Sequence, residues 1–95
     1  MITTKQRAKL RSMANGLDSI LHIGKGGITE NVVKQAQDAL LAHELIKVTV
    51  QKGSELGARE ACEILAEKIE AQPVQCIGSK FVLYKKNEKE PKITL

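Results

Sequence analysis

His22-Ile23-Gly24-Lys25-Gly26-Gly27-Ile28-Thr29 joins a short apolar run to a clearly helical pattern that begins after Thr29. The stretch therefore predicts a strand, a glycine loop and a helix in succession. Three glycines in four positions expose backbone N–H groups and let another chain approach closely. The loop opens onto a helix N-terminus, where free N–H groups and the helix dipole favour an anion. Together with the charge of Lys25, these features predict a contact point for a phosphate backbone.

The segment before the loop predicts a basic helix and then a short strand at 18–23. Thr3 and Gln6 match a capping box at the start of the helix, and Gly16 is its expected left-handed stop. Four apolar residues at helical spacing form its stripe: Leu10, Met13, Ala14 and Leu17. Four basic residues flank that stripe, the first two on one side and the last two on the other: Lys5, Lys9, Arg7 and Arg11.

The segment directly after the loop predicts a helix and the clearest strand of the chain. Thr29 is the expected N-cap of this second helix, which runs to about His43 on an apolar face. This strand is predicted at 44–51, where Ile46, Val48 and Val50 alternate with polar residues.

The remaining elements are a third helix and two strands. Ser54 is the expected cap of the helix, which stops at Gln72-Pro73. The strands 74–77 and 80–86 are joined by a hairpin turn at Gly78-Ser79, of the type that begins with glycine.

The order of elements is therefore α-β-α-β-α-β-β. A β-α-β-α-β run requires crossover connections, so we predict an α/β sandwich with a four-stranded mixed sheet and three helices. We expect residues 1–87 to form a single domain and the polar tail, residues 88–95, to be disordered. With one Phe, one Tyr and no Trp, the core must be aliphatic.

Charge is distributed unevenly along the chain, which carries a formal net charge of +4. Residues 1–34 hold six basic and two acidic groups, and residues 80–95 hold five and two. Residues 54–79 are acidic, with two basic and five acidic groups. If the two basic ends meet in the fold, they form one positive face that suits a polyanion. A solvated lysine-rich surface with a frayed tail is the alternative that composition leaves open.

Several classes of function find no support in the residues. Cys62 and Cys76 are too few and too far apart for a zinc site, and we expect both to be reduced and buried. No serine has the glycine-flanked setting of a hydrolase nucleophile. We therefore expect no enzyme, metal, cofactor or small-molecule substrate. With no signal peptide or membrane-length apolar run, we expect a soluble cytoplasmic protein and no membrane partner.

The glycine loop does not match the common nucleotide-binding motifs. Lys25 is followed by Gly26 rather than by a hydroxyl residue, so the loop is not a nucleoside-triphosphate P-loop. The glycine spacing and the chain length also exclude a dinucleotide fingerprint. What fits is Gly-x-x-Gly from Gly24 to Gly27, a loop that KH modules use to clamp an RNA backbone. An ordinary tight turn would show the same motif.

The chain also resembles a known family over residues 2–87. The resemblance rests on ordered matches: Thr3, Gln6-Arg7, Leu10-Arg11, Ile23-Gly24-Lys25, Gly27-Ile28-Thr29, Glu44-Leu45-Ile46-Lys47-Val48, Val74-Gln75-Cys76-Ile77-Gly78 and Val82-Leu83-Tyr84-Lys85. The family is the CRM domain of the bacterial YhbY type. The resemblance implies a fold similar to the C-terminal domain of translation initiation factor three. It also implies RNA binding through the loop and association with precursors of the large ribosomal subunit.

Residues and motif together lead to a hypothesis of function. We expect binding to ribosomal RNA in large-subunit precursors, with ribosomal proteins as further candidate partners. The expected RNA contacts are Gly24, Lys25, Gly26, Gly27, Arg7, Arg11, Lys5, Lys9, His22, Thr29, Lys80 and Lys85. Among these, Arg7 and Arg11 are preferred over the lysines of the same helix, and His22 also fits an ordinary strand residue. The alternative function is a protein-interaction module that docks on a basic ribosomal partner through the acidic third helix.

Overall fold

The computed structural model describes residues 2–89, 91 and 93. Within this part of the chain the elements follow the predicted order: α1 (Thr4–Ala14), β1 (Leu21–Ile23), α2 (Glu30–His43), β2 (Leu45–Val50), α3 (Ala58–Ile69), β3 (Gln72–Ile77) and β4 (Lys80–Tyr84). The sheet order is β1-β2-β4-β3. β1 and β2 are parallel, whereas β4 pairs antiparallel with both β2 and β3. The predicted α/β fold with a four-stranded mixed sheet is therefore confirmed.

The two faces of the sheet bury two separate apolar clusters, because successive side chains of a strand point to opposite faces. In β2, Ile46 and Val48 point to the face that α2 and α3 cover, and Leu45 points to the face that α1 covers. β4 is buried on both faces: Phe81 joins the larger cluster, and Tyr84 joins the cluster under α1. The sheet thus lies between one helix and two.

Local signals predicted two helix starts and one turn correctly. Thr3 Oγ1 accepts the Gln6 N–H at 3.1 Å, and Gln6 Oε1 accepts the Thr3 N–H at 2.9 Å, which completes the capping box. Thr29 is the N-cap of α2. At the β3–β4 hairpin Gly78 has a φ of +59°, as the predicted turn requires.

The predicted ends of the third helix are wrong. Gly57, not Ser54, occupies the N-cap position, and Ser54 Oγ instead accepts the Leu56 N–H at 3.1 Å. α3 ends at Ile69, because Glu70 adopts the left-handed conformation with a φ of 57°. Pro73 therefore lies inside β3 instead of ending a helix, a position that an edge strand tolerates.

Other sequence predictions differ in the basic helix, the first and last strands and one cysteine. Met13 and Leu17 are 41% and 37% exposed, so only Leu10 and Ala14 of the predicted stripe are buried. Gly16 does not stop α1 in a left-handed conformation, since the right-handed Asn15 forms the C-cap. β1 spans three residues and β4 ends at Tyr84, because each strand extends only as far as its pairing with β2. Cys76 is exposed rather than buried.

Glu44 has a role that its place before the predicted strand did not indicate. It ends α2 with a φ of 62°, and its side chain is fully buried. Glu44 Oε2 accepts the Asn87 N–H and Oε1 accepts the Ile93 N–H, both at 2.9 Å. The predicted disordered tail, residues 88–95, lies partly outside the described residues. At Ile93, however, the chain is hydrogen-bonded to the domain rather than free.

Candidate nucleic-acid interface

The glycine loop forms a tight turn between β1 and α2. The Gly27 N–H donates to the Gly24 carbonyl at 3.0 Å, and Gly27 has a φ of +71°. Lys25 and Gly26 occupy the two central positions of the turn and are exposed. Successive N–H groups in a turn conformation create a concave surface that suits an anion.

Of the two outer glycines, only Gly27 is required by the backbone geometry. A Cβ on Gly24 would lie 3.2 Å from Gln51 Oε1, a tight contact that a small shift of this exposed side chain would relieve. At Gly27 the positive φ disfavours any other residue. A Cβ on Gly26 would meet Thr29 Cγ2 at 3.5 Å, an ordinary contact. In Gly-x-x-Gly the last position therefore requires glycine, the first is crowded by Gln51, and Gly26 at the centre has room for a side chain.

The N-terminus of α2 directly follows the loop. Thr29 Oγ1 accepts the Val32 N–H at 3.2 Å, and the Thr29 carbonyl accepts the Val33 N–H at 3.0 Å. These bonds leave the earlier N–H groups of the first turn for a ligand. Glu30 is acidic and exposed in that turn, and its charge opposes the attraction of an anion to the helix end.

Three segments far apart in sequence meet at the end of the sheet where β1 and β2 finish. The Gln51 N–H donates to the Ile23 carbonyl at 2.8 Å, so the chain after β2 lies beside the glycine loop. The Val50 N–H donates to the Ser79 carbonyl at 2.7 Å, which places the β3–β4 hairpin next to both. This end of the sheet thus carries three exposed lysines: Lys25, Lys52 and Lys80.

Sequence reasoning did not select Lys52. The sequence contained a relevant signal, because Lys52 follows β2 as the loop follows β1. The carboxyl ends of neighbouring parallel strands lie at the same end of the sheet. Using that signal required the knowledge that β1 and β2 are neighbours.

A row of side chains extends from the loop across the sheet. His22 pairs with Thr49 on β2, and Thr49 pairs with Lys80 on β4. Their side chains share the sheet face on which α1 packs, since Leu21 and Ile23 point to the other face. His22 and Lys80 are nevertheless exposed, so α1 leaves this end of the face open. The structure therefore brings His22, Lys80 and the loop together.

The predicted cations of α1 are placed differently. Arg7 lines a cleft of about 310 Å³ at the outer edge of β3, together with Glu63 and Cys76. Its Nε atom is buried and has no hydrogen-bond partner among the described residues. Because β1 and β3 are opposite edges of the sheet, Arg7 lies roughly 14 Å, three strand spacings, across from the strand that carries the loop. Arg11, Lys5 and Lys9 are exposed on α1.

Lys85 is at the opposite end of β4 from the loop. Its Nζ donates to the Ile69 carbonyl at 2.8 Å, and this carbonyl is one of the last of α3. A cation at a helix C-terminus is favoured by the exposed carbonyls and the helix dipole. The structure therefore gives Lys85 a capping contact and does not bring it to the loop.

The structure also bears on metal binding, thiol chemistry and membrane insertion. Among residues 2–89, 91 and 93, no three His, Cys, Asp or Glu side chains are grouped as metal ligands would be. Burial, then Cys76 and Glu63, raises the pKa of the Cys62 thiol to about 11. In the same described part, none of the helices has the length and apolar character to cross a bilayer.

Fold and site together define a class of protein: a small α/β domain that carries a Gly-x-x-Gly loop at a lysine-bearing end of its sheet. The chain belongs to the CRS1/YhbY (CRM) domain family, whose model matches residues 2–85. The resemblance noted in the sequence is thereby confirmed.

Relatives match over nearly their whole length. A Bacillus subtilis protein named "Probable RNA-binding protein YqeI" is 42% identical over 95 residues, covering 100% of this chain and 99% of the relative. A Haemophilus influenzae protein named "RNA-binding protein" is 35% identical, covering 99% and 94%. The solution structure of a hypothetical Staphylococcus aureus protein, presented as a candidate RNA-binding protein, has a TM-score of 0.83 and 43% identity, covering 100% and 99%.

Proposed function

We propose that this chain binds RNA through the end of the sheet that carries the glycine loop. The observation that carries the proposal is the meeting of an exposed Lys25, a glycine turn and a helix N-terminus with Lys52 and Lys80. Turn and helix N–H groups can bind one phosphate, and the lysines attract the neighbouring phosphates. The names of the relatives support RNA as the polyanion.

We further propose that the RNA is ribosomal RNA in precursors of the large subunit. Support comes from the family resemblance, which implies this association, and from the scarcity of exposed rings for reading bases. With one Phe and one Tyr, both buried, recognition rests on RNA shape and backbone more than on sequence. Crosslinking in cells, followed by sequencing of the bound RNA, tests this part. Recovery spread over messenger RNA without ribosomal enrichment would contradict it.

The loop is tested by a pair of charge reversals measured with a labelled RNA. Lys25→Glu should weaken binding at every sequence tested, because it replaces attraction to a phosphate by repulsion. Lys86→Glu is the matched control: it makes the same change of charge at an exposed lysine beyond the far end of β4. Equal loss in both variants would indicate a general charge effect and would remove the loop from the site.

Salt dependence supplies an independent measure of the same contact. If Lys25, Lys52, Lys80 and the N-terminus of α2 neutralise about three to four phosphates, log affinity should fall with log salt at a slope of roughly −2 to −3. Lys25→Glu should make that slope shallower by about 1. A slope near zero for the unmodified chain would refute the electrostatic basis of binding.

The acidic face of α3 supports a second candidate function, which is docking on a basic ribosomal protein. Glu60, Glu63 and Glu67 are exposed on α3, and Glu70 is exposed directly after it, as a surface that docks on a basic protein requires. In that case reversing Glu63 and Glu67 should abolish ribosome association, while the loop variants should retain it.

A further inference from the structure

Few rings in this chain can contact a nucleic-acid base. The sequence holds one Phe, one Tyr, no Trp and two His. Phe81 is fully buried and Tyr84 is only 5% exposed, so neither offers a ring face to a ligand. His43 is exposed, but it ends α2 just before β2 begins and lies at the end of the sheet away from the loop. His22 is the one ring that remains.

His22 is placed where a base next to the loop would lie. It is exposed at the centre of β1, and its neighbours Leu21 and Ile23 are buried on the other face of the sheet. In an extended strand its Cα lies about 7 Å from that of Gly24. Lys80, two strands away in the same row, is roughly 10 Å from it across the sheet. The ring therefore lies between two candidate phosphate contacts.

We propose that His22 stacks on one unpaired base, whose nucleotide has its phosphate in the glycine loop, and that the site thereby selects single-stranded over duplex RNA. The inference rests on the proposed RNA-binding function and adds the class of RNA to it. A base within a duplex is already stacked on its neighbours and cannot turn a face to the imidazole, whereas an unpaired base can be splayed onto a ring. Every base has such a face, so stacking tolerates any sequence.

The open end of the sheet accommodates this arrangement. α1 packs over β2, β3 and β4, while His22 and Lys80 remain exposed beside it. Thr49, between them in the row, is half-buried, and its hydroxyl is hydrogen-bonded to that of Ser19. The row therefore presents an imidazole at one end and an ammonium at the other, with the loop backbone next to the imidazole.

The test separates the effect of a ring from the effect of a positive charge. His22→Phe keeps a ring without the imidazole nitrogens, His22→Lys supplies a positive charge without a ring, and His22→Leu has neither. Each variant is titrated against a short unstructured RNA and against an RNA duplex with the same number of phosphates. An RNA that carries a fluorescent adenine analogue reports stacking directly, because its emission changes when the base stacks. His43→Leu serves as the matched control at the other exposed ring.

We expect His22→Phe to bind the unstructured RNA at least as tightly as the unmodified chain. His22→Lys and His22→Leu should lose about fivefold to tenfold, the low end of the contribution of base–aromatic stacking. They should also lose the change in emission. Affinity for the duplex should be the same in the unmodified chain, His22→Phe and His22→Leu, and His43→Leu should alter neither RNA.

Three outcomes would overturn the inference. Retention of affinity by His22→Lys with loss in His22→Phe would mean that His22 acts by charge. An equal loss on duplex and unstructured RNA would remove the selection of unpaired bases, as would unchanged binding in His22→Leu. Lys25→Glu keeps this result separate from the wider proposal: if it weakens binding while His22→Leu does not, only the stacking inference fails. If neither affects binding, the proposed site itself is wrong.

Discussion

The buried carboxylate of Glu44 leads to a quantitative prediction about stability. It accepts the N–H groups of Asn87 and Ile93, so one side chain at the end of α2 holds two points of the C-terminal segment. Hydrogen bonds to a charged group contribute about 1.5–3 kcal/mol each. In Glu44→Gln one oxygen becomes an NH2 group that cannot accept, so one bond is lost. The free energy of unfolding should therefore fall by about 1.5–3 kcal/mol.

A Gly–Ala comparison at the same position isolates the backbone. Glu44 has a φ of 62°, a conformation that costs a non-glycine residue about 1–2 kcal/mol. Glu44→Ala loses both carboxylate bonds and keeps this cost. Glu44→Gly loses the same bonds but relieves the strain, so it should be more stable than Glu44→Ala by about 1 kcal/mol. The difference between Gln and Ala then reports the remaining acceptor together with the packing of the buried side chain.

Urea denaturation followed by far-UV circular dichroism measures these changes. With a slope of about 1–3 kcal/mol per molar urea, the Gln variant should shift the midpoint by about 1 M. A chain truncated after Lys86 removes both donors, and in that chain Glu44→Gln should cost less than half as much. An equal loss in the full and truncated chains would refute the assignment of Glu44 to the C-terminal segment. So would a Gln variant as stable as the unmodified chain.

Other predictions concern a phenol, the loop and the thiols. Burial and then Glu44 raise the pKa of Tyr84, so folding favours its neutral form, and stability should decline as the pH rises from about 10 toward the folded pKa. Phenolate absorbance follows this tyrosine alone, and Tyr84→Phe should remove that decline. Gly27→Ala should lower the free energy of unfolding by about 1 kcal/mol, whereas Gly26→Ala should leave it unchanged or raise it slightly; urea midpoints distinguish the two. Iodoacetamide should label the exposed Cys76 first and spare Cys62, whose pKa near 11 keeps it protonated; mass spectrometry identifies the labelled thiol, and rapid labelling of Cys62 would contradict the structure.

Short-range patterns carried much of the correct prediction. The Thr3–Gln6 capping box and the Thr29 cap depend on groups three residues apart. The Gly78 turn depends on one backbone angle. Such contacts form within a few residues, so the residue types predict them without knowledge of the remaining fold. The predicted Ser54 cap of α3 was wrong, because Gly57 occupies the N-cap position without any side-chain hydrogen bond that a residue pattern could indicate.

The sites divide in the same way. Lys85 and Lys80 look alike in sequence, each a lysine near an end of the last strand. In the structure they lie at opposite ends of β4, where Lys80 belongs to the row beside the loop and Lys85 caps the end of α3. The helical pattern predicted that Arg7 flanks the apolar stripe of α1, and in the structure Arg7 lines the cleft beside β3. Neither placement follows from spacing along the chain.

The residues of the chain by themselves determined the order of the elements, the glycine turn leading into a helix and membership of the family. Each of these is a property of residue types along a short segment or of their succession. Only the tertiary structure decided that β1 lies beside β2, and therefore that Lys52 and Lys80 lie at the same end of the sheet as Lys25. It also decided that Glu44 is buried against a segment more than forty residues away. These contacts depend on strand pairing and side-chain burial between distant segments, which satisfy polar groups that no local pattern reveals.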